Sequence, residues 1–79
     1  METKEKVKTI IAECLGLSAD TMPCDQDLYQ MEGFDSMRNV MILSRIEETF
    51  DLLIPEDDIF DIATVNDWIS EVEKLKGGF

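Results

Sequence analysis

Three stretches of this 79-residue chain carry apolar side chains at three- and four-residue steps, and no stretch shows the alternation of a β-strand. Such spacing places the apolar groups on one face of a helix. The stretches run from Thr3 to Leu15, from Ser36 to about Phe50, and onward from Thr64. Because 79 residues are only just enough for one apolar core, we predict a single domain over residues 1–79 that is all-α.

Local signals indicate where these helices begin and end. Thr3 suits the N-cap of the first helix, and Gly16 suits its end. Thr64 and Asp67 have the spacing of a capping box, with Asp in place of Glu, and Gly77-Gly78 should end the helix that follows. The apolar stripes are Val7, Ile10, Ile11, Cys14 and Leu15 in the first helix, Val40, Leu43, Ile46 and Phe50 in the second, and Val65, Trp68, Ile69, Val72 and Leu75 in the last.

A short third helix is predicted between the second and the last. Pro55 has the fixed φ that suits a first helical position, and the acids at 56–58 would lie near the positive end of that helix. Its apolar side would consist of Ile59, Phe60 and Ile62. The predicted fold is a small four-helix bundle with three longer helices and a short third one.

A long loop precedes the second helix. Residues 17–35 lack helical periodicity, and 19 residues is long for a structureless connection, so we interpret the segment as a functional loop. A short helical turn around Asp27 to Met31 is compatible with the sequence. The side chains expected to pin the loop across the helix ends are Leu17, Met22, Leu28, Tyr29, Met31 and Phe34.

Eighteen acidic residues against seven basic ones give the chain a net charge of −11. Between Asp20 and Glu73 there are 15 acids and only two bases, Arg38 and Arg45, so this stretch carries −13. Such a surface repels nucleic acid and anionic membranes and attracts basic protein surfaces. We therefore expect a monomer that docks on basic faces of partner proteins and neither binds nucleic acid nor inserts into a membrane.

The chain has no histidine, which removes the commonest general base and the commonest metal ligand. The clustered acids do not form an EF-hand either, because a loop starting at Asp25 has Gln30 where glycine is needed and Ser36 where a bidentate glutamate is needed. Neither catalysis nor a metal site is predicted. Cys14 continues an apolar stripe and should be buried, and a disulfide with Cys24 is not expected.

Residues 1–6 lack the apolar core of a signal peptide, and no stretch is long enough to cross a bilayer. These observations predict a cytoplasmic protein.

One serine lies where a reactive site could form. Ser36 falls at the junction between the long loop and the second helix, next to free backbone N–H groups and the positive end of the helix dipole. An anion attached there would be favourably placed. The simpler interpretation is that Ser36 is an ordinary N-cap, a position that serine prefers.

The sequence Gly33-Phe34-Asp35-Ser36-Met37, the helix after it and the segment Ile54-Pro55-Glu56-Asp57-Asp58 followed by Thr64-Val65 resemble an acyl carrier protein. The resemblance covers nearly the whole chain and includes its length, acidity and helix order. It implies a non-catalytic carrier in which Ser36 bears a covalent 4′-phosphopantetheine arm and the arm's thiol holds the cargo as a thioester. The implied partners are a phosphopantetheinyl transferase and enzymes that load and process acyl groups.

The resemblance also implies roles for residues around Ser36. Gly33 would let the transferase approach the backbone, and Asp35 would assist docking or metal-assisted transfer by that enzyme, while Met37 completes the motif. Glu47 and Glu48 would meet partner enzymes from the far part of the second helix. The cargo could be sheltered between helices, among Val40, Leu43, Ile46, Ile62 and Trp68.

The chain departs from typical fatty-acid carriers by having Arg38 and Met41, and then Arg45, on the second helix. A base two residues after the modified serine changes the sign of the local potential. This change favours a polyketide, modified-lipid or amino-acid-loading pathway over general fatty-acid synthesis. We also expect Arg38 to be exposed, to select partner enzymes and to have little effect on stability. Two alternatives are also compatible with the sequence: a peptidyl or aminoacyl carrier, and an unmodified acidic adaptor that binds a basic surface.

Overall fold

The computed structural model describes residues 2–76, and within them the chain is helical with no strand. The helices are α1 (Thr3–Leu15), a 3₁₀ helix (Leu28–Gln30), α2 (Ser36–Phe50), α3 (Glu56–Ile59) and α4 (Val65–Lys76). This confirms the prediction of three longer helices and a short third one. Helix α1 packs against both α2 and α4, so the core lies among these three.

The two ends of α1 are formed differently from each other. Gly16 ends the helix as predicted: it adopts the left-handed conformation with φ 72°, and the next residue, Leu17, donates from its N–H to Ala12 O at 2.8 Å. The prediction that Thr3 is the N-cap is wrong. Glu2 occupies that position without a side-chain cap, and the Thr3 hydroxyl instead accepts a hydrogen bond from Lys76 Nζ at 2.8 Å.

The core face of helix α2 is confirmed at Ile46, but it includes Ile42 and leaves out Val40. Ile42 and Ile46 are fully buried, whereas Leu43 and Phe50 are only partly buried and Val40 is 57% exposed. A helix advances about 100° per residue, so Val40 lies about 200° around the axis from Ile42. Val40 therefore faces outward, while the rest of the predicted stripe, Leu43, Ile46 and Phe50, packs in or against the core.

The loop of residues 17–35 is fastened to the bundle at its middle. Met22 and Leu28 are buried, and Met31 and Phe34 pack against the core, while Leu17 and Tyr29 are exposed, contrary to expectation. Leu28 N donates to Ala63 O at 2.7 Å, and Asn66 N donates to Cys24 O at 3.0 Å. The 3₁₀ helix confirms the predicted turn in this loop.

The short α3 begins one residue later than predicted, because Pro55 is its N-cap rather than its first residue. Ile62 is buried and Ile59 partly buried, but Phe60 is exposed, so it does not belong to the apolar side assigned to it.

The capping box at α4 is confirmed. Asp67 N donates to Thr64 Oγ1 at 3.0 Å, and Thr64 N donates to Asp67 Oδ2 at 3.1 Å. The predicted stop at Gly77-Gly78 lies outside the described residues. Cys14 is buried as predicted, and Cys14 and Cys24 are free thiols. No helix in the described part of the chain has both the length and the apolar character needed to cross a membrane.

Candidate functional site

The start of α2 is organised by Asp35, not by Ser36. Asp35 has extended backbone angles, and its Oδ1 accepts a hydrogen bond from Arg38 N at 2.9 Å, so it is the N-cap. Ser36 is the first helical residue, it is exposed, and its hydroxyl has no hydrogen-bond partner among residues 2–76. The interpretation of Ser36 as an ordinary N-cap is therefore wrong, and its hydroxyl is available.

The surroundings of Ser36 suit a phosphodiester. The first N–H groups of a helix have no partner within it, and those of Ser36 and Met37 find no acceptor elsewhere in the described chain. They point outward at the positive end of α2, where an anion is stabilised. Gly33 adopts φ 82°, and an added Cβ there would meet no atom within 4 Å. Glycine is thus required at this position by the backbone conformation, not by lack of space.

An apolar surface runs along α2 beside Ser36. Met37 is 71% exposed, Val40 57% and Met41 46%, and residues three and four apart share one helical face. Exposed apolar side chains grouped in this way mark a contact surface more often than scattered ones do. We call Met37, Val40 and Met41 the outer stripe of α2.

Both arginines of α2 point toward α1. Arg38 Nη1 donates to Cys14 O at 2.6 Å, at the C-terminal end of α1, and the side chain is half-buried. Arg45 Nη2 donates to Glu13 Oε1 at 2.7 Å, and this hydrogen bond and ion pair raise the pKa of the guanidinium. The expectation of a freely exposed Arg38 is wrong, because the end of α1 offers it a carbonyl acceptor.

The two acids expected to contact partners differ in environment. Glu47 Oε2 accepts a hydrogen bond from Ile54 N at 2.8 Å, which holds the connection between α2 and α3. Glu48 is exposed. Both lie on an open groove of about 670 Å³ whose other lining residues are Ser44, Asp51, Leu52 and Leu53.

The residues proposed to shelter the cargo do not line a cleft together. Ile46, Ile62 and Trp68 are packed in the core, whereas Val40 is on the outside. A cleft of about 270 Å³ opens elsewhere, next to the N-terminus of α2. Its lining residues are Leu15, Leu17, Met31, Glu32, Gly33 and Arg38. No sequence pattern indicates this cleft, because it forms only when α1, the loop and α2 pack together.

A carboxyl pair links α3 to α4. Glu71 is only 9% exposed, and burial, followed by a hydrogen bond with Asp58, raises its pKa. The same hydrogen bond from Glu71, then that from Lys74, lowers the pKa of Asp58. Lys74 Nζ lies 3.3 Å from Asp58 Oδ2 and 3.4 Å from Glu71 Oε1. Glu71 therefore ionises less readily than Asp58, and Lys74 lies close to both carboxyl groups.

Two comparisons with known proteins found similarity over most of the chain. A family model described as a phosphopantetheine attachment site matches residues 5–72. The chain is also similar to an acyl carrier protein of Akkermansia muciniphila, with 31% identity over 74 residues that cover 94% of this chain and 92% of that protein. The chain therefore belongs to the acyl carrier protein family, and it is a non-catalytic carrier whose prosthetic group is covalently attached 4′-phosphopantetheine.

Proposed function

We propose that Ser36 is the residue that carries the 4′-phosphopantetheine arm and that the chain presents acyl thioesters on this arm to successive enzymes. The observation that carries the proposal is the free, exposed hydroxyl of Ser36 at the positive end of α2, beside two N–H groups without acceptors. When bound, the arm supplies a terminal thiol for the thioester. The residues of the chain hold the phosphodiester and dock the enzymes.

Each residue near Ser36 has a distinct part in this proposal. The amides of Ser36 and Met37 orient the phosphodiester. Asp35 fixes the first turn through its bond to Arg38 N, and its second carboxylate oxygen is available to the phosphopantetheinyl transferase. Gly33 sets the backbone turn that leaves Ser36 accessible.

The outer stripe of α2 is the proposed docking surface for acyl-loading and acyl-processing enzymes. A partner that fits it has an apolar patch for Met37 and Val40 and basic groups for the surrounding acids, including Glu48. Glu47 contributes less, because one of its oxygens already holds the α2–α3 connection.

The pathway served is proposed to be a specialised one, such as polyketide, modified-lipid or amino-acid loading, in the cytoplasm. Its support is the replacement of early α2 acids by Arg38 and Met41, together with Arg45, which weakens attraction to strongly basic docking surfaces. Arg45 remains partly exposed beside Glu13 and can take part in selecting partners. The cargo class is acyl or aminoacyl.

The attachment site can be tested by mass. The apo protein is incubated with coenzyme A, Mg²⁺ and a broad-specificity phosphopantetheinyl transferase, and intact-mass spectra are recorded. We expect one phosphopantetheine to be added to the parent and to Ser44→Ala, a matched control that removes another exposed serine of α2. Ser36→Ala should gain none. Addition to Ser36→Ala, or no addition to the parent with several transferases, would refute the assignment, and the latter result would favour the unmodified adaptor.

A further inference from the structure

The 270 Å³ cleft beside the N-terminus of α2 has apolar walls. Leu15 and Met31 pack partly against the core, and exposed Leu17 forms the outer wall. The volume is just below the usual range for small-molecule sites, so the cleft suits a chain of a few carbons rather than a long one.

One side of the cleft carries a positive charge that is not neutralised by an ion pair. A guanidinium has five N–H donors, and Arg38 uses one of its side-chain donors, on Nη1, for the Cys14 carbonyl. The ion pairs within residues 2–76 involve Arg45 and Lys74, and Arg38 takes part in none of them. Glu32 is the acid of the lining, but it is exposed at the rim, where water screens its charge more than that of half-buried Arg38.

The cleft is within reach of an arm on Ser36. Gly33, which lines it, precedes Ser36 by three residues, and three residues of chain span at most about 11 Å. Arg38 follows Ser36 by two residues, a rise of about 3 Å along the helix. An extended phosphopantetheine arm is longer than these distances, so it can fold back and place a thioester in the cleft.

We propose that this cleft receives the acyl group of the cargo and that the preferred cargo is a short dicarboxylic acyl group. Its free carboxylate would bind the guanidinium of Arg38, and its methylene groups would contact Leu15, Leu17 and Met31. The inference rests on the proposed function, because the arm on Ser36 brings the acyl group there. It differs from the sheltering of cargo among Ile46, Ile62 and Trp68, whose side chains fill the core.

The test compares two cargoes that differ only at the far end. A broad-specificity transferase loads the protein with pentanoyl- or glutaryl-phosphopantetheine, each with a five-carbon acyl group, and intact mass verifies loading. Amide chemical shifts are then compared with those of the unloaded holo protein. We expect glutaryl to shift the amides of Leu17, Met31 and Gly33 at least twice as far as pentanoyl does. Arg38→Met should reduce the glutaryl shifts to the pentanoyl level, and the matched control Arg45→Met should not.

A second variant keeps the test independent of any loss of stability in Arg38→Met. Leu17 is exposed, so Leu17→Asp should fold, and its carboxylate should repel the glutaryl group and abolish the excess shift. Equal shifts for the two cargoes, glutaryl shifts unchanged in both variants, or shifts confined to the groove at Leu52 and Leu53 would overturn the inference.

The two proposals fail in different ways. If the transferase adds nothing to Ser36, the proposed function is wrong and the cleft assignment is lost with it. If loading is complete but the shifts do not depend on the cargo, the cleft assignment alone is wrong.

Discussion

Replacing Arg38 by methionine should destabilise the protein more than a surface substitution does. Arg38 Nη1 donates to Cys14 O at 2.6 Å. This carbonyl is in the last turn of α1, so no N–H group of the helix donates to it. A hydrogen bond to a charged group contributes about 1.5–3 kcal/mol, and a cation at a helix C-terminus adds about 0.3–1 kcal/mol. Because the Arg38 side chain is partly exposed, solvent screening reduces this total, and we expect the free energy of unfolding to fall by about 1.5 kcal/mol.

The expected change is large enough to measure by thermal unfolding. In a domain of this size, 1 kcal/mol changes the midpoint by about 4–8 °C, so Arg38→Met should melt roughly 6–12 °C below the parent. Methionine keeps the aliphatic stem that lines the cleft, which restricts the change to the guanidinium. The measurement is circular dichroism at 222 nm on the apo protein at moderate salt.

Arg45→Met is the matched control. It removes the other arginine of α2, whose ion pair with Glu13 joins side chains that are 44% and 56% exposed. Exposed pairs of this kind contribute about 0.2–1 kcal/mol, so the midpoint should fall by only a few degrees. If Arg38→Met melts at the parent's temperature, or no lower than Arg45→Met, then Arg38 is a solvated side chain and the argument from the α1 carbonyl is wrong.

Three further predictions concern the cap, the carboxyl pair and the net charge. Asp35→Ala should lower the free energy of unfolding by about 1 kcal/mol in urea titrations, because the N–H of Arg38 loses its cap, and Asp35→Asn should retain most of it. Equal losses in the two variants would show that the cap is not the cause. Because burial raises the pKa of Glu71 in the folded state, the contribution of this group to stability is present below the ordinary glutamate pKa and is lost as pH rises through the folded-state pKa. The glutamine of Glu71→Gln cannot ionise and can still donate a hydrogen bond to Asp58. The thermal midpoint of this variant, relative to that of the parent, should therefore rise between about pH 4 and about pH 7. A difference that does not change with pH would contradict the assignment. Finally, with −11 on the whole chain, screening of self-repulsion should raise the thermal midpoint as NaCl is increased from low to moderate concentration, and an unchanged midpoint would show that this charge is not limiting.

The end of α1 and the start of α4 could be predicted because their signals are local. Gly16 and the Thr64–Asp67 pair act on backbone groups within a few residues of themselves, so sequence neighbours suffice to locate them. The core face of α2 could be predicted only in part. The helix carries one apolar line through Ile42 and Ile46 and another through Met37, Val40 and Met41, and only the position of α1 decides which one is buried.

Long-range contacts account for the other differences. Arg38 is 24 residues from Cys14, and Leu28 is 35 residues from Ala63, yet each pair is joined by a hydrogen bond. No periodicity or cap signal encodes such pairs, because the partner is a backbone carbonyl that every residue type possesses. The docking of the loop and the inward direction of Arg38 therefore become visible only in the folded chain.

The identity of the N-cap has a consequence for modification. If Ser36 were the cap, attaching a phosphodiester to its hydroxyl would remove a hydrogen bond from α2 and cost about 1 kcal/mol of helix stability. Asp35 takes that role instead, so the Ser36 hydroxyl can be esterified without loss of any intramolecular bond seen in residues 2–76. The new negative charge then meets free amides at the positive end of α2. The order Asp35-Ser36 thus separates the residue that stabilises the helix start from the residue that is modified, and the fold need not differ between the apo and holo forms.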